Sequence, residues 1–146
     1  APDEEYTIQF GKATIRREGN DVTIVGTSLM VHHALSAAKK LWKKGISCEV
    51  IDLRTLVPLD EECIINSVCK TGRLVIASED VSRCGVAAEI MAVVVENEIA
   101  ALKAPIKRVC IDNMPIPFSP VCEREVVPSM KKIMDAVMDT MQGGEK

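Results

Sequence analysis

Residues 45–62, GISCEVIDLRTLVPLDEE, begin as an apolar run and end in charge. The run Ser47–Leu53 has the length and continuity of a strand covered on both faces. Arg54–Leu59 reads as a loop, in which Pro58 keeps Val57 out of helical geometry. Asp60 then opens a helix as its N-cap, with Glu61 and Glu62 in the first turn. Negative charge there stabilises by about 0.3–1 kcal/mol per residue. Ile64, Ile65, Val68 and Cys69 are the expected apolar face, Thr71-Gly72 the stop, and "RLVIAS" (73–78) a second buried strand. Strand, helix and strand in succession predict a parallel crossover unit.

The same grammar extends in both directions. Upstream, "KATIRREGNDVTIVG" (12–26) holds two β-type runs around Glu18-Gly19-Asn20-Asp21, which suggests a hairpin ending in the buried strand Val22–Gly26. A helix follows, with Ser28 as its expected N-cap. Its apolar set is Val31, Ala34, Leu35, Ala38, Leu41 and Trp42. Lys39, Lys40, Lys43 and Lys44 fall in its last turns, where cations suit the helix dipole, and Gly45 is the stop. Downstream come the loop "EDVSRCG" (79–85), a helix from Val86 to about Ala101, the turn "LKAP" (102–105) and the strand "IKRVCI" (106–111). A Pro-rich loop over 112–121 and a helix over 129–141 complete the chain, the latter with Ile133, Met134, Val137, Met138 and Met141 inward. The pattern predicts an α/β fold: a mostly parallel sheet, helices on both faces, and a first strand antiparallel at or near an edge.

Composition narrows the function. The 146 residues carry a net charge of −3 and 27% charged residues, which gives no electrostatic reason to bind nucleic acid or an anionic membrane. No apolar run approaches the roughly 20 residues of a membrane span. The acidic start Ala-Pro-Asp-Glu-Glu-Tyr is expected to be neither signal nor transit peptide, and a start without Met suggests a cut-out or processed piece. The six cysteines form no C-x-x-C pair and only two histidines are present, so a zinc site is not expected. Most of the cysteines sit within apolar segments, and all six are expected to be reduced thiols in a cytosol-like compartment.

Ligands of open α/β sheets bind beyond the carboxyl ends of the strands. The turn "GTSLM" after the first buried strand is neither a dinucleotide fingerprint nor a P-loop. Asp52, Arg54 and Thr55 follow the second. Ser78, Glu79, Asp80, Ser82, Arg83 and Cys84 follow the third, forming the densest polar cluster. Cys84 lacks a histidine nearby in sequence to act as its base, and His32 and His33, being adjacent, point in different directions. The residues alone define no self-contained catalytic site.

Four stretches in order resemble one family. "YTIQFGKATIRREGNDVTIVGTS", "GISCEVIDLRTLVPLD", "KTGRLVIASED" followed by "GVAAEI", and "APIKRVCIDNMPIPFSP" are similar to the C-terminal domain of the thiamine-dependent transketolase superfamily. Within it they most resemble the β subunit of the E1 component of 2-oxo acid dehydrogenases of the pyruvate type. The resemblance spans residues 6 to about 140. It implies a three-layer α/β/α domain with a five-stranded sheet and one antiparallel strand. The expected organisation is an arm at 1–11 from an N-terminal domain, a C-terminal domain at 12–141 and a flexible tail at 142–146.

For the whole enzyme the resemblance implies decarboxylation of a 2-oxo acid on thiamine diphosphate with Mg, then acyl transfer to lipoamide on E2. In the family that site is built by the α subunit and the N-terminal domain of β, so no catalytic, cofactor or metal residue is assigned here. The implied partners are an E1 α subunit, a second β subunit and the E2 acyltransferase. The implied compartment is the cytoplasm in bacteria or the mitochondrial matrix in eukaryotes. Asp52, Arg54, Glu79, Asp80 and Lys103 are the candidate interface residues. Lys103 stands where relatives often carry an acidic residue, and the tail "QGGEK" departs from the usual short apolar ending; both depart from the family's E2 contacts. "SEDVSRC" also departs, which leaves pyruvate, a branched 2-oxo acid or acetoin as substrate. Two alternatives stand beside this reading: a fragment of a single-chain transketolase-type enzyme, and a stand-alone module holding an anion at Ser28 or Cys84.

Overall fold

The structure, a computed structural model, describes residues 5–143. The first four residues of the expected arm and the last three of the expected tail lie outside the described residues. In chain order the elements are β1 (Thr14–Arg17), β2 (Val22–Gly26), α1 (Leu29–Trp42), β3 (Cys48–Asp52), α2 (Glu61–Thr71), β4 (Leu74–Val81), α3 (Val86–Glu98), β5 (Lys107–Ile111), α4 (Pro120–Val126) and α5 (Met130–Gln142). The strands form one five-stranded sheet in the order β1-β3-β2-β4-β5. β2, β3, β4 and β5 are mutually parallel, and β1 is antiparallel to β3.

The side chains of the central strands alternate between two cores. Val22 and Ile24 of β2, Val50 of β3 and Val75 of β4 meet Ala34, Ala38 and Leu41 of α1 and Ile133 and Val137 of α5. Val25, Ile51, Leu74 and Ile76 point the other way, onto Ile64 and Val68 of α2 and Ile90 and Val94 of α3. Three layers result because the period-two pleat gives each strand two apolar faces and each face takes two helices. Each fully buried Leu, Ile or Val contributes about 1.5–3 kcal/mol.

Several local expectations are corrected. β1 and β2 do not form a hairpin, since β2 is paired on both sides, with β3 and β4. β2 is buried along its whole length and belongs at the sheet centre, whereas β1, with its two arginines, suits an edge. The turn between them crosses the start of β3, where a Cβ on Gly19 would fall 2.1 Å from the Cys48 carbonyl carbon.

Ser28 precedes α1 with φ 50° but makes no side-chain capping bond. Trp42 is 60% exposed rather than part of the core. Lys43 and Lys44 follow the helix instead of sitting in it. Of the expected apolar face of α2, Cys69 is exposed, while Ser67 and Thr71 join Ile64 and Val68 in the buried positions, since their hydroxyls find partners inside. Only Cys48 is fully buried; Cys69, Cys84 and Cys122 are exposed, so the cysteines are not mostly interior. The long helix ends at Glu98 and passes into a 3-10 turn over Ile99–Ala101. Part of the Pro-rich loop winds into α4, with Pro120 at its first turn, where a missing N–H costs nothing. The Asp60 cap is as expected: Oδ1 accepts the Cys63 N–H at 3.3 Å. Ser129 likewise caps α5, accepting the Lys132 N–H.

Candidate functional site

Gly26 of β2 lies in register with Asp52 of β3 and Ala77 of β4, so whatever follows these residues gathers at one edge of the sheet. Asp52 is half-buried there and accepts the Arg54 N–H at 3.3 Å. That bond helps hold Arg54 at φ 59°, with its side chain exposed. Next to it, Thr55 Oγ1 accepts the Gly11 N–H and donates to the Pro58 carbonyl, each at 3.0 Å. Asp60 Oδ2 accepts the Ala13 N–H at 2.9 Å. The arm is thus stitched to the loop after β3. Beyond Ala77, Glu79 is exposed, while Asp80 accepts the N–H groups of Val81 (2.7 Å) and Val86 (3.2 Å) and so fixes the entry to α3.

Asp52, Arg54, Glu79 and Asp80 therefore share the carboxyl edge. Lys103 does not: its N–H donates to the Gly72 carbonyl at 2.7 Å and its ammonium to the Thr71 carbonyl at 3.4 Å, which places it where β4 begins. His32 is exposed and His33 half-buried on α1, and Cys84 is exposed at φ 58° ahead of α3. The segments that leave the strands at this edge also carry exposed apolar side chains. Leu29 follows β2, Leu56 and Val57 follow β3, and Met114, Ile116 and Phe118 follow β5, all exposed; Val57 is 91% exposed and Phe118 fully so. The charges of this edge stand out in the sequence, whereas its apolar side chains were passed over, although "LVP" and "MPIPF" show them.

A second polar constellation was also missed. Glu49 of β3 is completely buried. Ser67 donates to its Oε1 at 2.5 Å, the Gly19 N–H to its Oε2 at 3.3 Å, and the Lys70 ammonium pairs with Oε2 while also reaching Glu18 at 3.2 Å. Thr23 bridges Ser67 (2.7 Å) and Thr71 (2.8 Å) beside it. Burial acts to raise the Glu49 pKa, but the bonds from Lys70, Ser67 and Gly19 outweigh it and hold the carboxyl below the usual carboxylate range. A groove of about 360 Å³ between β1 and α2 opens onto this cluster. A second groove of about 500 Å³ lies along β5 and α5 and mixes Lys107, Arg108 and Lys132 with Asp112, Asp135 and Asp139.

A Mg-held diphosphate needs several oxygen donors converging on one cation. Among the described residues no group of three or more His, Cys, Asp or Glu converges in that way. In the larger groove Lys107 already pairs with Asp139 at 3.7 Å. The residues present do not fit thiamine diphosphate by themselves.

A domain family described as transketolase, C-terminal domain, matches residues 11–133. The chain belongs to the transketolase C-terminal domain family. A split-gene transketolase, an inactive β4 tetramer, superposes with a TM-score of 0.82 at 27% identity, over 99% of this chain and 45% of that one. The acetoin:2,6-dichlorophenolindophenol oxidoreductase β subunit of Cupriavidus necator is 48% identical over 144 residues, which is 99% of this chain and 43% of that protein. The pyruvate dehydrogenase E1 β subunit of Bacillus subtilis is 42% identical over 141 residues, 97% of this chain and 43% of that protein. The 2-oxoisovalerate dehydrogenase β subunit of the same organism is 38% identical over 139 residues, 94% and 42%. The domain spans less than half the length of these relatives. Its resemblance to E1-type β subunits, anticipated from four stretches, extends over nearly the whole chain.

Proposed function

We propose that this transketolase C-terminal domain is the assembly domain of an E1-type β subunit. The enzyme in question would use thiamine diphosphate and Mg to cleave a 2-oxo acid or a related small ketone and to pass the acyl group to E2. Its partners would be an α-type subunit, a second β subunit and E2. The observation that supports this reading is the carboxyl edge, where the segments leaving β2, β3 and β5 carry large exposed apolar side chains at the same end of the sheet as Asp52, Arg54, Glu79 and Asp80. Apolar side chains ringed by charge are the composition of a protein interface.

The domain acts as a supporting part rather than a complete active site, and Lys103, at the other end of the sheet, would belong to a separate contact if it takes part in assembly. The test is to co-express the β protein with its α-type partner and measure the native mass. Arg54→Glu combined with Phe118→Asp is expected to abolish the complex. An unchanged complex would sink the proposal.

Acetoin cleavage is a second reading of substrate, motivated by the 48% identity to the Cupriavidus necator protein. Steady-state rates of the assembled enzyme with pyruvate, 2-oxoisovalerate and acetoin separate the possibilities. Relatives occur in bacteria and, in Dictyostelium discoideum, in a protein named mitochondrial, so either of the expected compartments fits. Among the described residues no helix is long and apolar enough to cross a membrane.

A further inference from the structure

We propose that the C-terminal end of α1 is a docking site for a short acidic polypeptide segment. The site lies at the opposite edge of the sheet from the assembly surface and does not depend on that reading. α1 contains no acidic residue and carries Lys39 and Lys40 in its last turn, with Lys43 and Lys44 directly after its end, all four exposed. At 100° per residue, the exposed arc runs from Trp42 through Lys39 and Lys43 to Lys40 and Lys44. The Arg17 guanidinium of β1 extends it, lying 5.6 Å from the centre of the Trp42 ring.

Nothing within the described residues neutralises this charge. The ion pairs present there use Lys70 and Lys107, not these four lysines. Of the nearby acids, Glu18 is held by Lys70, and Asp21 accepts the Ser47 N–H at 2.6 Å. One or two cations satisfy a helix dipole, and like charges four residues apart repel each other. An external anion relieves that repulsion, and the 60% exposed Trp42 adds an apolar contact for it.

The observations favour a polypeptide over other polyanions. The patch is the end of a single helix with a single aromatic ring, too small for successive stacked bases. A bilayer would also meet the rest of a chain whose net charge is −3. A short segment of Asp and Glu with one apolar residue matches the patch in sign and in width.

Trp42 is the only tryptophan of the chain and so reports occupancy directly. Its emission is followed on titrating the chain with a twelve-residue Glu-rich peptide carrying a central Leu. The Gln version of that peptide and phosphatidylserine–phosphatidylcholine vesicles serve as comparison probes. The expected result is a saturable change with the acidic peptide that weakens as salt is raised, and binding of the Gln peptide weaker by about tenfold or more. Lys39→Glu with Lys43→Glu should abolish the change, and the milder Lys40→Gln with Lys44→Gln should weaken it if the first pair disturbs folding. No saturable change, equal binding of the Gln peptide, tighter binding to the vesicles, or folded variants that bind like the parent would each overturn the proposal.

Discussion

Glu49 lies in a strand whose other side chains are mostly apolar, and its own is fully buried. A carboxylate so placed costs stability unless its oxygens are met, and here Lys70, Ser67 and the Gly19 N–H meet them. Because its folded pKa lies below the ordinary 4.5, the charged form contributes stability above that pH, and the contribution is lost as pH falls through the lower folded value. The Lys70 pKa is raised above 10.5, chiefly by its bond to Glu49, so its contribution is present below that pH and lost as pH rises through the higher value. Lys70→Met should therefore cost about 2 kcal/mol at neutral pH by urea denaturation, less than for a fully buried pair because the Lys70 side chain is 38% exposed. The deficit should shrink as pH falls below the ordinary carboxylate range and Glu49 takes a proton; a deficit independent of pH would contradict the assignment.

The network was not legible in the sequence, where a lone Glu within an apolar run gives no sign of its partners on α2. The Asp60 cap was legible, because the residues it serves are its chain neighbours. The cysteines divide by the same logic. Burial pushes the Cys48 thiol up to about 12, while Cys69, Cys84 and Cys122 are exposed. A disulfide reagent should modify those three first and Cys48 only on unfolding, a sequence that mass spectrometry of the labelled peptides would read.

Among the elements, β1 shows how local and long-range signals part company. Gly, Asn and Asp between two β-type runs point to a hairpin, yet the run that follows is the most buried strand of the sheet and takes a parallel neighbour on each side. What holds the β1–β2 turn is its passage over β3, and the crowding at Gly19 makes that passage sensitive. Gly19→Ala should destabilise by several kcal/mol, on the order of an overpacked core site or more, because its Cβ would meet backbone rather than a movable side chain. An alanine variant with the parent's melting temperature would contradict this placement. Asp60→Ala removes both the α2 cap and the bond to the Ala13 N–H just after the arm, and should cost about 1–2 kcal/mol in chemical denaturation. α4 was not foreseen because it is short and follows directly on a Pro-rich loop; only Pro120 at its first turn marked a helix start.

For the molecule as a whole, the alternation of strands and helices was enough to reach the layers and the parallel sheet, since both follow from hydrophobic period and connection length. The carboxyl edge was only half legible. Its charges stand out next to strand ends, but its apolar side chains are scattered over the segments after β2, β3 and β5 and come to the same end of the sheet only when those strands are laid parallel. That surface is expected to be covered when an E1-type β subunit assembles, while the lysine-rich end of α1 stays open at the other edge. Amide hydrogen exchange of the β protein, alone and in complex with its α-type partner, tests this most directly. Exchange should slow on assembly at residues 54–59 and 112–119, with no change at residues 40–46. Protection confined to the opposite edge, or no protection at the carboxyl edge, would contradict the assignment of that edge to assembly.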